Sequence, residues 1–300
     1  MKFVKMNGCG NDYVYFDLRG ESDIEAAAER IIPHVERLSD RHFGVGGDGV
    51  VLVMPGDAAD VRMRMFNADG SEGKMCGNAV RCVCKLVCDG LDEKPSSLSV
   101  ETASGVKTIV PEYGDDGKVS GATVNMGRPV LAADKVPVNM YYVPACSRLS
   151  QTDEGETVAL EVPVTLRGGE VVYGTAVSMG NPHFVVFTDK DPADIDVAKI
   201  GSAVEVMPTF PERVNVEFVK PCGNGVYKMR VWERGSGETL ACGTGSCAVA
   251  VAARLRGFAP REDGIYEISL LGGTLYIRLD DDGVKMTGNA LKNYEGEVEI

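Results

Sequence analysis

The stretch VLVMPGDAADVRMRMFNADGSEGKMCGN, residues 51–78, returns 166 positions later as EFVKPCGNGVYKMRVWERGSGETLACGT, residues 217–244, with no gap in either copy. Val53 falls on Val219, Pro55 on Pro221, Met63-Arg64 on Met229-Arg230, Phe66 on Trp232, Glu72 on Glu238, and Cys76-Gly77 on Cys242-Gly243. A weaker echo precedes it: GNDYVYFD from Gly10 resembles GNPHFVVFTD from Gly180, with one residue inserted. Chance likeness of two strand-turn-helix units is the bland alternative. An ungapped match of both the apolar pattern and the turn residues stands against it. A period this long means duplicated domains, not a solenoid.

Each copy reads the same way locally. VRMRMF and YKMRVW alternate bulky and polar side chains, the period of a strand, while ADGSEG and RGSGE are loop composition. GNAVRCVCKLVCDG after Cys76 reads as a helix closed by Gly90, and GTGSCAVAVAARLRGF after Cys242 as one stopped by Arg254, Arg256 and Gly257. Residues 248–253 are apolar on every side, so the second helix belongs inside its domain. A further helix is expected over residues 24–38, interrupted at Pro33. The remainder is rich in strands joined by Gly-Gly and Asp-Gly turns. The expectation is an α+β fold of two homologous domains, each a curled, mostly antiparallel sheet around one buried helix.

The chain has 300 residues, 44% of them hydrophobic and 25% charged, which is enough for a full core without staples. Its net charge of −13 and the absence of a basic stripe argue against nucleic acid or acidic membranes as partners. No apolar run reaches the ~18 residues of a spanning helix, and MKFVKMNGCGNDY is not a signal peptide, so a cytoplasmic location is expected. The cysteines number nine, an odd count in a long chain, which favours reduced thiols over a disulfide framework.

Two of those thiols, Cys76 and Cys242, stand directly before helices. A helix N-terminus stabilises a thiolate, and the small residues that follow (Gly77-Asn78-Ala79, Gly243-Thr244-Gly245) open backbone N–H groups to a carboxylate. Two such sites facing one another suit inversion at a carbon beside a carboxylate. One thiolate removes the α-proton from one face, and the opposite thiol delivers a proton to the other. Zinc is the competing reading of Cys82, Cys84 and Cys88. Only Cys84 and Cys88 share a helix face, so these three and Cys247 are read as packing and no metal site is expected. Of the three histidines, His34 and His42 read as structural, whereas His183 in GNPHF lies in the repeated segment. RHFGVGGDGV lacks the lysine of a phosphate loop, and no G-x-S-x-G elbow is present.

The motifs KMNGCGNDYV, RHFGVGGDG, FNADGSEGKMCGNAVRC, SMGNPHFV, RVNVEFV, WERGSGETLACGTGSCA and MTGNALKNYEGE, in this order along the whole chain, resemble diaminopimelate epimerases. The resemblance implies a cofactor-independent enzyme of lysine biosynthesis that interconverts L,L- and meso-diaminopimelate. It implies residues 1–126 with 287–300 as one domain and 127–286 as the other, with the active site in the cleft between them, and a homodimer. By motif, Cys76 and Cys242 correspond to the acid/base thiols. Gly77, Asn78, Gly243 and Thr244 correspond to carboxylate-binding residues, and Asn11, Asn67, Asn181, Asn215, Glu233 and Arg234 to further substrate contacts. His183 corresponds to a histidine near the reaction centre. Departures from the family pattern are Asn7, Cys9, Ala79 and Gly49, the last at a position where some members carry a glutamine. A racemase of another amino acid, for example a basic one, and a two-domain binding protein for an amino acid are the alternatives. The two thiols speak against a pure binder.

Overall fold

The computed structural model describes residues 1–300 and divides into two compact units, Met1–Asn125 with Thr287–Ile300, and Met126–Met286. The first unit runs β1 (Lys2–Gly8), β2 (Asn11–Asp17), α1 (Ile24–Ile31), α2 (Val35–Ser39), β3 (Gly49–Pro55), β4 (Val61–Asn67), β5 (Glu72–Gly73), α3 (Gly77–Cys88), β6 (Leu98–Thr102), β7 (Gly105–Tyr113) and β8 (Val119–Asn125). The second runs β9 (Arg148–Gln151), β10 (Thr157–Thr165), β11 (Val171–Ser178), β12 (Pro182–Phe187), α4 (Val197–Glu205), β13 (Asn215–Gly223), β14 (Val226–Glu233), β15 (Gly237–Thr239), α5 (Gly243–Leu255), β16 (Ile265–Leu270) and β17 (Gly273–Asp280). The chain passes back to the first unit along β18 (Gly283–Asn289) and ends in β19 (Leu291–Glu297).

The repeat seen in the sequence is a repeat of hydrogen-bond register. In the antiparallel β3–β4 pair Val50 lies opposite Phe66 and Val51 opposite Met65. In β13–β14 Val216 lies opposite Trp232 and Glu217 opposite Val231. In the parallel β2–β3 pair Tyr13 lies opposite Gly49, as His183 lies opposite Asn215 in β12–β13. The loops read in ADGSEG and RGSGE are shorter than expected. Glu72–Gly73 and Gly237–Thr239 fold back onto β4 and β14 as brief strands, a pairing too short to show any periodicity.

Each sheet is covered on both faces, which is why β3 is buried along almost its whole length. Val14, Phe16, Val50 and Leu52 pack with α1 and α2, so Tyr13, Tyr15 and Val51 lie on the opposite face. Helix α3 lies there, in contact with β1, β2, β6, β7 and β8, so the sheet curls round it. In the second unit Phe184, Val216 and Phe218 pack with Val197 and Val204 of α4. His183 and Glu217 therefore lie on the face shared with α5, which contacts β11, β12, β13 and β17. Small side chains from Ala248 to Ala253 let these strands close in on α5, and burying Val249 and Val251 contributes roughly 1.5–3 kcal/mol each.

The ends of the helices follow local chemistry. Asp23 caps α1 by accepting from Ala26 N, and Asp196 caps α4 by accepting from Lys199 N. Residues 24–39 are helical with a single 3-10 turn over Ile32–His34, where Pro33 removes a donor. Beyond α5, Phe258 N reaches Ala253 O and Gly257 N reaches Arg254 O, the two bonds of a Schellman motif with Gly257 left-handed. Gly90 N reaches Val87 O at 3.2 Å, but Gly90 is not left-handed and no Schellman motif forms. Helix α3 ends at Asp89, whose carboxylate holds Lys85 Nζ and Val119 N, both at 2.8 Å. No helix is long and apolar enough to cross a membrane.

Candidate active site

Both cysteines are N-cap residues with extended backbone: Cys76 before α3 and Cys242 before α5. Their carbonyls accept the first helical bonds, from Val80 N and Ser246 N, each at 3.0 Å. Gly77 and Gly243 occupy the first helical positions, with the open N–H groups of each helix just beyond the thiol.

In the first unit the Cys76 thiol donates to Asn11 Oδ1 at 3.2 Å, and Asn78 Nδ2 approaches the same oxygen at 3.4 Å. The orientation of both amides is fixed from behind. Asn11 Nδ2 donates to Asp48 at 2.5 Å, so its oxygen must face the sulfur. Asn78 Oδ1 accepts from Arg81 Nη2 at 2.9 Å, which turns its NH2 group outward. Arg81 is fully buried and also donates to Gly77 O at 3.1 Å and Asn289 O at 3.2 Å. Asp48 belongs to the RHFGVGGDG loop, which Arg41 fastens down through Asp12 (2.7 Å) and Asp48 (2.9 Å). The loop thus reaches the site through Asn11. Tyr13, only 5% exposed, lies on the same face of the sheet as α3, and burial raises its phenol well above the ordinary value.

In the second unit the Cys242 thiol donates to Glu233 Oε2 at 3.2 Å, accepts from Gly245 N at 3.4 Å and lies 3.5 Å from Thr244 Oγ1. Glu233 Oε1 accepts from Thr239 Oγ1 at 2.5 Å. Behind them His183 Nδ1 meets Glu217 Oε1 at 2.6 Å, both side chains fully buried, and His183 Nε2 meets Asn181 Oδ1 at 3.0 Å. A Cβ at position 245 would stand 2.8 Å from Glu217 Oε1 and 3.2 Å from the sulfur, so only glycine fits there.

The sequence leads one to expect a lowered thiol pKa at each helix start. For Cys242 the direction is opposite. Burial, then the Glu233 and Glu217 carboxylates, push its pKa well above the ordinary thiol value, outweighing the Thr244 and Gly245 hydrogen bonds. Burial also raises the Glu233 carboxyl, against the hydrogen bonds from Thr239 and Cys242. In the free chain Cys242 is therefore a protonated thiol.

Other expected contacts are turned into their own unit. Asn215 Nδ2 donates to Pro182 O at 2.9 Å while its Oδ1 accepts from Arg234 N at 2.9 Å, and Arg234 Nη1 holds Glu212 O at 3.0 Å. Asn67 is exposed and bonds Ser71. Asn7 holds Asn293 and the turn at Gly10. At position 49 a Cβ would lie 1.9 Å from Phe66 O and 3.0 Å from Tyr13 Cε1, so this backbone accepts no glutamine. Cys84 and Cys88 share a face, their sulfurs 3.9 Å apart, and no group of three or more His, Cys, Asp or Glu side chains is placed to hold a metal. Sequence reasoning missed Glu217, Tyr13, Asp48 and Arg81. The repeat held the signal for Glu217, since a glutamate stands at the position of Val51 on a strand otherwise apolar.

Solved structures show the same fold. The chain superposes over its full length on a phenazine biosynthesis protein of the PhzF family from Bacillus anthracis (TM-score 0.64, 17% identity, 99% of that chain). It also superposes over 99% of its length on a hydroxyproline epimerase from Agrobacterium vitis (TM-score 0.63, 15% identity, 90% of that chain). The fold is thus one that both of these proteins share. For the family the sequence is decisive, for the diaminopimelate epimerase family model matches residues 3–132 and 175–293. The chain is 47% identical to the diaminopimelate epimerase of Desulfovibrio desulfuricans and 44% identical to that of Acetivibrio thermocellus, covering all of this chain and 99% of each relative. The chain belongs to the diaminopimelate epimerase family.

Proposed function

We propose that this protein is the epimerase that interconverts L,L- and meso-diaminopimelate without a cofactor, with Cys76 and Cys242 as the two acid/base groups. The observation that carries the reading is that each repeat unit delivers one cysteine as the N-cap of its buried helix, within a chain of this family. As a thiolate, Cys76 takes the α-proton and becomes a thiol. Cys242 gives its proton to the opposite face of the same carbon and becomes the thiolate, and the carbon is inverted. The protonated state of Cys242 supports assigning it the donor role. Gly77 with Asn78 and Gly243 with Thr244 bind the carboxylate beside that carbon, where helix N–H groups stabilise the charge that develops on it. Asn11, Asn67, Asn181, Asn215, Glu233, Arg234 and His183 form the remaining contacts, several of them after release from their present partners. The family relation also supports a cytoplasmic homodimer serving lysine biosynthesis.

The test is exchange in D2O. Protein without added cofactor, incubated with L,L-diaminopimelate, places deuterium at the inverted carbon. Exchange into a different amino acid, with none into diaminopimelate, transfers the reading to a racemase of that amino acid. Exchange retained in full by Cys76→Ala or Cys242→Ala defeats the two-thiol scheme.

A further inference from the structure

The two half-sites are built on one register, yet each thiol finds its acceptor at a different position of the repeat. Asn11 and Asn181 are equivalent, since Tyr13 and His183 stand opposite Gly49 and Asn215 in their parallel strand pairs. So are Asn67 and Glu233, one residue beyond Phe66 and Trp232. The Cys76 thiol donates to Asn11 Oδ1 at 3.2 Å, and the Cys242 thiol to Glu233 Oε2 at 3.2 Å. Their counterparts have other partners. Asn181 Oδ1 meets His183 Nε2 at 3.0 Å, and Asn67 Nδ2 donates to Ser71 Oγ at 3.0 Å. The chain next to the paired strand differs as well. Asp48 precedes Gly49 in the first unit, whereas the residue before Asn215 is Val214, buried and apolar. An aspartate is present only behind the asparagine that serves a thiol.

We infer that Asp48 is a positioning residue for Cys76: it fixes Asn11 as a hydrogen-bond acceptor and so raises the affinity of that sulfur for a proton. A carboxylate only accepts, so the Asn11 Nδ2 held by Asp48 Oδ2 at 2.5 Å cannot exchange places with Oδ1. Asn78 Nδ2, 3.4 Å from the same Oδ1, favours the same orientation. Asp48 is itself held by Asp12 N at 3.1 Å and by the Arg41 guanidinium at 2.9 Å. An amide oxygen fixed 3.2 Å from the sulfur accepts from a thiol and repels a thiolate. It therefore makes the thiolate a stronger base, and it accepts from the thiol that forms when Cys76 takes the α-proton. The direction of this effect is the same whatever further contacts the sulfur makes. Besides Asp48, the charged and titratable groups facing Asn11, Asn78 and Cys76 are Tyr13 and Tyr15 on β2 and Arg81 and Cys82 on α3. Burial keeps both phenols and the Cys82 thiol uncharged at neutral pH.

This inference rests on the acid/base role of Cys76, but its first test needs no substrate. Iodoacetamide alkylation of Cys76 is followed by mass spectrometry against pH. In Asp48→Ala the midpoint should fall by about one pH unit, because the freed amide can turn its NH2 group to the thiolate. In Asn11→Ala it should fall too, since the acceptor is gone. Adding Asp48→Ala to Asn11→Ala should move it no further, and Cys242 in the same samples should keep its profile. An unchanged or raised midpoint in Asp48→Ala overturns the inference. So does an equal shift with and without Asn11, which traces the effect to the charge of Asp48 alone. If Asp48→Ala does not fold, Asp48→Asn, which can donate to Asn11 Oδ1 and turn the amide over, should lower the midpoint as well, and no shift there overturns it equally. Turnover should move the opposite way. Asp48→Ala holds more thiolate at neutral pH, yet its kcat on the alkaline plateau should fall about threefold with little change in KM, because the base is weaker. A shifted midpoint in a protein that fails the diaminopimelate exchange assay leaves Asp48 assigned and removes only the substrate.

Discussion

Replacing Arg81 by methionine tests whether the first half-site is preorganised from inside the unit. Arg81 lies in α3 with no exposed surface, and among the acceptors that converge on its guanidinium are the oxygens Gly77 O, Asn78 Oδ1 and Asn289 O, at 2.9–3.2 Å. Bonds to a charged group contribute about 1.5 kcal/mol each at the low end, so their joint loss costs about 4.5 kcal/mol. Removing the buried charge recovers part of its desolvation, and Met fills the stem's volume, leaving an expected destabilisation of about 3 kcal/mol. With a urea slope of about 2 kcal/mol/M the unfolding midpoint should fall by about 1.5 M. At temperatures where the variant stays folded, kcat/KM should also fall, because Asn78 is no longer held with its NH2 group outward. Arg81→Lys, which keeps the charge and loses the planar fork, should lie between the two. A midpoint within about 0.3 M of wild type, with kcat/KM intact, would refute the reasoning.

Two further outcomes follow from the charges. Glu233→Gln keeps an acceptor beside Cys242 but removes one of the carboxylates that hold its thiol pKa up. Alkylation of Cys242 should therefore begin at lower pH than in wild type while kcat falls about 10²-fold, and an onset that stays put or rises contradicts the arrangement. Asp12 on β2 bridges Lys5 to Arg41 of the 41–48 loop. Burial acts to raise its carboxyl, but the Arg41 and Lys5 bonds outweigh that and bring it below its ordinary 3.8. A depressed carboxyl contributes stability above its unfolded value and loses it as pH falls through the folded one. The urea midpoint of wild type should exceed that of Asp12→Asn by a constant amount at pH 5 and above, and the gap should close on acidification below about pH 4. A gap independent of pH would assign Asp12 a purely steric role.

Much of this was legible in the chain because it depends on short-range pattern. Alternation marked β4 and β14, an all-round apolar run marked α5 as buried, and Pro33 marked the break between α1 and α2. The repeated CG after a polar turn identified two equivalent thiols before either helix was seen. What escaped were side chains whose meaning depends on who stands behind them. Tyr13 reads as one more bulky residue on an alternating strand, Asp48 as a turn residue in a glycine-rich loop, and Arg81 as a charge on the surface of a helix. The closing of the sheet over α3 buries Tyr13 and Arg81, while Arg81 and the loop residue Asp48 fix the Asn78 and Asn11 amides beside Cys76.

The thiol pKa shows most clearly where sequence stops. A helix N-terminus is a local feature that lowers a thiol pKa, and it is readable from Cys242-Gly243 alone. Burial and the approach of Glu233 and Glu217 are long-range features that raise it, and they prevail because a buried sulfur beside two carboxylates has little water to screen them. The sequence by itself determined the repeat, the strand-turn-helix units and the two cysteines on which the proposed chemistry rests. The tertiary structure alone decided that Cys242 is held protonated, that the Asn11 amide oxygen faces Cys76, and that two copies of one motif carry unlike neighbours. Register fixes where a side chain is placed, but only the packed neighbours fix its charge and its hydrogen-bonding sense.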